Sequence, residues 1–238
     1  MWQKILLFTF LISFILLGNS CSNSSGNETK GGLENLEEAA SDANRLKNFS
    51  FDKLDDNLEV VTIKDEYHHT LEYSRNKSDY ARQGLFLRKD SLGRLLEAAN
   101  YLNDTLHGSR ILFFPETETK QIVEHYDHGQ FHGNFQAYFP SGKLEQEGNY
   151  VHNVMDSIWV RYYETGQIKE EVTFRDNDEN GPFTEYYANG NLKAEGFFKD
   201  GDNEHGLLKL YDEEGVLVKT MDCKNGICKT IWKKEDIQ

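Results

Sequence analysis

Short acidic segments are one group of residues in this chain that could bind a metal. One segment reads Asp176-x-Asp178-x-Asn180-Gly181 and matches the opening of a calcium loop. The twelfth position of such a loop requires a bidentate Glu, but this chain has Tyr187 there. An acidic turn is therefore the better interpretation, and we expect no calcium site.

Histidines form a second group of side chains with ligand chemistry. His125, His128 and His132 flank a predicted turn at Gly129, and no carboxylate is placed to orient them. A similar segment later in the chain contains Asp202, Glu204 and His205. We expect neither group to bind zinc, and we predict no metal and no cofactor.

Catalytic motifs are missing from the sequence. It contains no nucleophile elbow, no phosphate-binding loop and no His-Glu-x-x-His helix. Glutamates recur with the spacing of a repeat, so pairs of carboxylates arise here without an acid-base role. We therefore predict that the protein is not an enzyme.

A repeat of about 24 residues positions all these side chains. In its four clearest copies the second glycine is Gly142, Gly166, Gly190 or Gly215, at spacings of 24, 24 and 25 residues. Self-similarity at this period indicates units that are stabilised by stacking on their neighbours. With two degenerate copies there are six units, which start at Gly84, Gly108, Gly133, Ser157, Gly181 and Gly206.

Each unit is predicted to be a β-hairpin. Its second half alternates between apolar and polar residues, which is typical of a strand with one solvated face. Asn189-Gly190 predicts a two-residue type I′ turn. Such a turn would pair Tyr187 with Leu192 and place Phe183 opposite Gly196. The same offset places Phe135 opposite Gly148, where an aromatic ring covers a strand glycine.

The predicted fold is therefore all-β, an elongated single antiparallel sheet of successive hairpins with a short N-terminal helix. The middle pair of each hairpin is polar on the aromatic face. These pairs are Ala137 with Gln146, Arg161 with Glu170, and Glu185 with Ala194. We expect one face to carry an aromatic and aliphatic ladder that is interrupted by a polar seam.

The pattern Gly-x-x-x-x-Tyr-Tyr-x-x-Gly-x-Leu-x-x-Glu resembles the MORN-repeat variant of bacterial proteins known as YwqK-type antitoxins. The matching residues are Gly133, Tyr138, Gly142, Leu144, Tyr162, Tyr163, Gly166, Ile168, Gly181, Tyr186, Tyr187, Gly190, Leu192, Gly206, Tyr211, Gly215 and Leu217. Ser157 replaces an opening Gly, and Thr117 replaces a turn Gly. The resemblance implies an elongated antiparallel sheet and, in some members, neutralisation of a toxin.

The N-terminal residues resemble a bacterial lipoprotein signal. Lys4 precedes an apolar run from Ile5 to Leu17, and Gly18-Asn19-Ser20 lead to Cys21. We expect Cys21 to carry the lipid, and an ordinary signal peptide or an uncleaved anchor is the alternative. A Ser at position 22, directly after the Cys, resembles the sequence of lipoproteins that are sent to the outer membrane. We therefore predict a lipid-anchored protein of the bacterial cell envelope.

The predicted segments follow in order along the chain. They are a signal peptide at 1–20, a flexible tether at 21–32, a helix and strand region at 33–83, repeats at 84–232 and a tail at 233–238. Leu33, Leu36, Ala40, Ala43 and Leu46 predict one helix, and Leu58 to Ile63 predict a strand. The pattern at 64–83 is ambiguous, and a further degenerate hairpin is one interpretation.

Cys223 and Cys228 surround Asn225-Gly226, which predicts a second two-residue turn. That turn would place the cysteines opposite each other as a non-hydrogen-bonded pair, with Cα atoms about 4.5 Å apart, within the range of a disulfide. The predicted secretion implies an oxidising compartment. We expect a disulfide that closes the last hairpin, because a redox or metal pair would need further ligands.

The chain has a formal net charge of −14. This charge disfavours nucleic acid and anionic lipid. It is explained either by a solvated surface or by a basic protein partner. We predict a protein- or peptide-binding scaffold, with antitoxin and glycan-binding roles as alternatives. The candidate contact residues on the sheet face are Phe135, Phe139, Trp159, Tyr163, Phe183 and Tyr187.

Overall fold

The computed structural model describes residues 36–41, 43–49, 51 and 54–235. The predicted signal at 1–20, the lipidated Cys21, the tether at 21–32 and the last three residues of the tail lie outside this range. Among the described residues, no helix combines the length and apolar character needed to cross a membrane.

Two short helices and sixteen strands make up the described chain. The helices are α1 (Leu36–Ala39) and α2 (Ala43–Lys47). The first eight strands are β1 (Leu58–Lys64), β2 (Thr70–Asn76), β3 (Arg82–Lys89), β4 (Leu95–Leu102), β5 (Thr105–Phe113), β6 (Lys120–Asp127), β7 (Gln130–Phe131) and β8 (Gly133–Tyr138). The remaining strands are β9 (Leu144–Val151), β10 (Val154–Tyr162), β11 (Ile168–Arg175), β12 (Asp178–Tyr186), β13 (Leu192–Phe198), β14 (Gly206–Tyr211), β15 (Leu217–Lys224) and β16 (Ile227–Lys233).

All sixteen strands form one open antiparallel sheet, in which almost every strand pairs with its neighbours in sequence and β7 pairs with β6. The predicted fold class is confirmed. Each of the six predicted units is one hairpin, from β3–β4 to β14–β15. The ambiguous region at 64–83 contains β2, which pairs with β1 in a further hairpin.

Turns within the units differ from the prediction. Tyr187 donates its amide to the carbonyl of Asn191, and Gly190 donates to Tyr187, so the loop has three residues. Only Gly190 has a positive φ there, whereas a type I′ turn needs two such residues. The predicted pairing of Tyr187 with Leu192 is therefore wrong.

A bulge after this loop restores the predicted register. Tyr186 pairs with Leu192, the register shifts, and Phe183 then lies opposite Gly196 as predicted. The three predicted polar pairs in the middle of the hairpins are confirmed. Beyond the shift, the Lys193 ammonium group lies 2.8 Å from Glu185.

The two-residue turns lie between units instead. His152-Asn153 and Asp176-Asn177 have positive φ at both residues, and the strands on either side pair directly. The side-chain oxygen of Asn177 accepts a hydrogen bond from the amide of Met155 at 2.8 Å, and Asn153 binds Phe131 in the same way at 2.7 Å. These asparagines therefore join consecutive units at a fixed spacing.

The two faces of the sheet bury different clusters. On one face, which we call the helix face, α1 and α2 cover Leu85, Leu87, Ile111 and Val123. The predicted single helix is thus two short helices, which pack on the third to sixth strands. Their contact buries an apolar patch that the strands alone would expose to water.

The opposite face, which we call the ladder face, has no second layer among the described residues. It carries a row of packed side chains along the second half of the sheet. The row consists of Trp159, Val172, Phe174, Phe183, Ala194, Phe198, Leu208 and Cys223. Cys223 lies opposite Cys228 on the last two strands, as predicted, with a disulfide between them and Cα atoms 4.0 Å apart.

Candidate functional site

The predicted contact residues on the ladder face divide into buried and half-buried rings. Trp159 is 2% exposed and Phe183 is 5% exposed, while Phe135 is half-buried beside Trp159. A Cβ at Gly148 would overlap the Trp159 ring, and one at Gly196 would lie 2.8 Å from Phe183. Trp159 and Phe183 therefore cover strand glycines, and their burial leaves little ring surface for a partner; their role in partner contact stays a prediction.

Tyr163 and Tyr187 tie each unit to the next. The Tyr163 hydroxyl donates to the carbonyl of Tyr186 at 2.8 Å, and the Tyr187 hydroxyl donates to that of Tyr211 at 2.9 Å. Phe139, at the equivalent position of the preceding unit, is half-buried and has no hydroxyl. The second aromatic residue of the repeat thus has a structural role, with part of its ring exposed.

The polar seam of the ladder face is electrically balanced in the first half of the sheet. Arg110 contacts Glu97 at 2.6 Å and Glu124 at 3.2 Å, and Arg88 contacts Glu97 at 2.8 Å. Two guanidinium groups therefore neutralise two buried carboxylates. Since this pairing satisfies the charges, this part of the seam is structural.

The seam becomes acidic in the second half, where it opens into a groove of about 510 Å³. We call this the acidic groove. Phe183, Phe198, Leu208 and Leu210 contribute its apolar side chains. Its charged residues are Glu170, Glu179, Glu185, Asp202, Glu204 and Lys193. Five carboxylates thus face one ammonium group, which is 2.8 Å from Glu185.

Glu179 is the most unusual of these carboxylates. It is 8% exposed, and its Oε2 atom has no hydrogen-bond partner within the described chain. Burial, together with the nearby charges of Glu170 and Asp202, raises the pKa of Glu179 to about 7. Burial also raises the pKa of Glu170, although Arg161 lies 3.5 Å away and favours its ionised form.

Glu179 also differs from the residues at the equivalent position of the two preceding units. It pairs with Phe174 in the same register in which Met155 pairs with Tyr150 and Phe131 pairs with Tyr126. The equivalent position in the two preceding units is therefore apolar. The following unit again has a carboxylate here, since Glu204 pairs with Phe198, so the apolar position becomes acidic where the groove begins.

The connection between β13 and β14 completes the groove. Other units are joined by two-residue turns, but here residues 199–205 connect the strands and bring Asp202 and Glu204 to the rim. The spacing of 25 residues between Gly190 and Gly215 was the sequence signal for this longer connection. Sequence reasoning treated Asp202 and Glu204 only as weak metal ligands and missed the groove.

A separate cluster joins His107, Asp127 and His128 at the ends of β5 and β6. Their ligand atoms lie within 4.8 Å of one another. Asp127 contacts His128 at 2.6 Å and His107 at 3.4 Å, and these contacts lower the pKa of Asp127. His125 instead contacts Glu37 at 2.6 Å, away from this cluster. The exposed groups already pair with one another, so the cluster is explained as ion pairing.

Comparison with known families identifies the repeat. The family model described as MORN repeat variant matches three consecutive stretches of the chain, residues 131–152, 155–176 and 179–200. Each match begins two residues before the Gly or Ser that opens a predicted unit. The repeat resemblance is thus confirmed for these three units. Among curated proteins, a search found no match to this chain.

Proposed function

Since three of its units match the MORN repeat variant, we propose that the chain is a binding scaffold whose acidic groove holds a basic protein partner. The observation that carries this proposal is the excess of five carboxylates over one ammonium group around an apolar floor. Charge complementarity at such a surface steers a cationic partner, and the apolar floor stabilises the contact. The proposal involves binding without a chemical step.

We place this scaffold at a membrane surface in the cell envelope. The support is the apolar run from Ile5 to Leu17 followed by Cys21, which resembles a lipoprotein signal. A lipid on Cys21 would tether the sheet and leave the ladder face open to the envelope space. Labelling with a radioactive fatty acid tests this step, and a Cys21→Ser variant that still takes up the label would contradict it.

Capture of the partner tests the proposal most directly. The full chain in a neutral detergent would be immobilised and exposed to detergent-solubilised membranes. We expect a basic protein that salt displaces and that an Asp202→Asn, Glu204→Gln double variant fails to retain. The control is the Asp56→Asn, Glu66→Gln double variant, which has the same change in charge at exposed residues near the other end of the sheet.

Two outcomes of this capture would contradict the proposal. One is a partner that both double variants retain equally, because the acidic groove would then be irrelevant to binding. The other is a partner that sugars displace while salt does not, because such behaviour indicates glycan recognition.

A further inference from the structure

The acidic groove contains a buried carboxylate that the fold does not use. Glu179 Oε2 has no hydrogen-bond partner within the described chain, and the side chain is 8% exposed. An unpaired buried carboxylate normally destabilises the folded state. The preceding units show that Phe131 or Met155 occupies this position without that cost.

The charged groups on the elements around Glu179 are either acidic or already paired, as with Arg161 on β10, which contacts Glu170 at 3.5 Å. Glu170 lies on β11, Asp202 lies in the connection before β14, and both add negative charge. Opposite Glu179 stands Phe174, which supplies only an aromatic ring. Lys193 also lines the groove, but its ammonium group contacts Glu185.

From this arrangement we propose that the acidic groove is a receptor site for one lysine or arginine side chain of the partner, with Glu179 as its ion-pair partner. The inference rests on the proposed function and names the group that the groove recognises. The aliphatic stem of such a side chain packs on Phe183, Leu208 and Leu210, and its cationic head reaches the carboxylates.

Binding of a cation is also coupled to a proton. With a pKa near 7, Glu179 is partly protonated at neutral pH, and a bound cation favours the ionised form. Occupation of the groove therefore releases a proton. Affinity should rise as the pH increases from 6 to 8, since less work is then needed to ionise Glu179.

Calorimetric titration of the full chain in a neutral detergent with an amidated lysine hexapeptide tests this inference. Measurements in two buffers of different ionisation enthalpy report the protons released. We expect proton release with the wild-type chain near pH 7. A Glu179→Met variant should bind at least tenfold more weakly and release no proton. Met155 occupies the equivalent position, so this variant should fold, which a thermal unfolding curve checks.

The control is Glu66→Gln, which removes one exposed charge at the far end of the sheet and should bind as tightly as the wild type. Equal binding by wild type and Glu179→Met would overturn the inference. So would an equal loss in Glu179→Met and Glu66→Gln, because the peptide would then respond only to net charge. Either result leaves the proposed function intact if the partner still depends on Asp202 and Glu204.

Discussion

Single residues in this protein show their roles most clearly where they depart from the repeat. The glycines that open the other five units have a positive φ, and Ser157 adopts the same backbone conformation with a φ of 65°. A side chain with a Cβ is strained in that region. Glu179 departs in another way, because it buries a carboxyl group at a position that is apolar in the two preceding units.

We predict that Ser157→Gly stabilises the protein. Glycine adopts a positive φ without strain, and the gain should be about 0.5–1 kcal/mol after the greater flexibility of the unfolded chain is subtracted. Urea unfolding followed by Trp fluorescence measures the change. Ser157→Ala serves as the control, because it also removes the hydroxyl but keeps the Cβ. A gain of the same size in Ser157→Ala would refute the strain argument.

Glu179 should make the free energy of unfolding depend on pH. Its pKa rises from the ordinary 4.5 to about 7 in the folded chain, so the folded state holds a proton that the unfolded state loses between these values. Its contribution to stability therefore falls as the pH rises from about 4.5 to about 7 and is constant above that range. Glu179→Gln should remove this decline, which amounts to about 3 kcal/mol at most.

Unfolding curves at pH 5 and pH 8 check the effect of Glu179. The wild type should lose stability relative to Glu179→Gln at the higher pH. Parallel pH profiles for the two proteins would show that Glu179 is ionised in the folded chain and that the groove does not perturb it.

Hairpins could be predicted in detail because their pairing follows the period of two along each strand. Phe183 opposite Gly196 and Arg161 opposite Glu170 were both predicted correctly. The turn type was not, because Asn-Gly favours a two-residue turn but also fits a three-residue loop with a single left-handed glycine. The acidic groove was missed: the 25-residue spacing signals a longer connection, but no local pattern shows that this connection brings Asp202 and Glu204 to a groove.

The hydroxyl groups of Tyr163 and Tyr187 join consecutive hairpins, and removal of either hydroxyl should weaken the contact between neighbouring units. Tyr163→Phe and Tyr187→Phe each delete one hydrogen bond to the carbonyl of the next unit. Each change should lower the free energy of unfolding by about 0.5–1.5 kcal/mol, as measured in urea. The double variant should lose the sum, because the two bonds join different pairs of units.

Tyr67→Phe is the matched control for these variants. Tyr67 is 69% exposed, and its hydroxyl has no bond within the described residues, so stability should not change. If Tyr67→Phe proved as destabilising as Tyr163→Phe, the hydroxyl bonds between units would not be the cause.

Over the whole molecule, the sheet has two differently protected regions. Helices α1 and α2 cover the helix face near the start, and the disulfide between Cys223 and Cys228 closes the last hairpin. Among the described residues each unit pairs in the sheet with the units next to it in sequence, so damage at one end should stay local. The signal segment and tether remain predictions, because they lie outside the described residues.

Reduction of the disulfide should therefore loosen only the last strands. Closing so short a loop stabilises the fold by about 2 kcal/mol in the chain-entropy account. We expect faster amide exchange in β15 and β16 after reduction and unchanged exchange in β8 to β11. The Cys223→Ala, Cys228→Ala double variant should give the same pattern without a reductant. Faster exchange along the entire sheet would contradict this local role.

We propose that the acidic groove, near the last hairpins of the sheet, binds a cationic partner. Amide exchange of the full chain, with and without the amidated lysine hexapeptide, tests this claim most directly. We expect slower exchange in β12 to β14 and no change in β3 to β6. Protection in β3 to β6, or no protection anywhere, would contradict it.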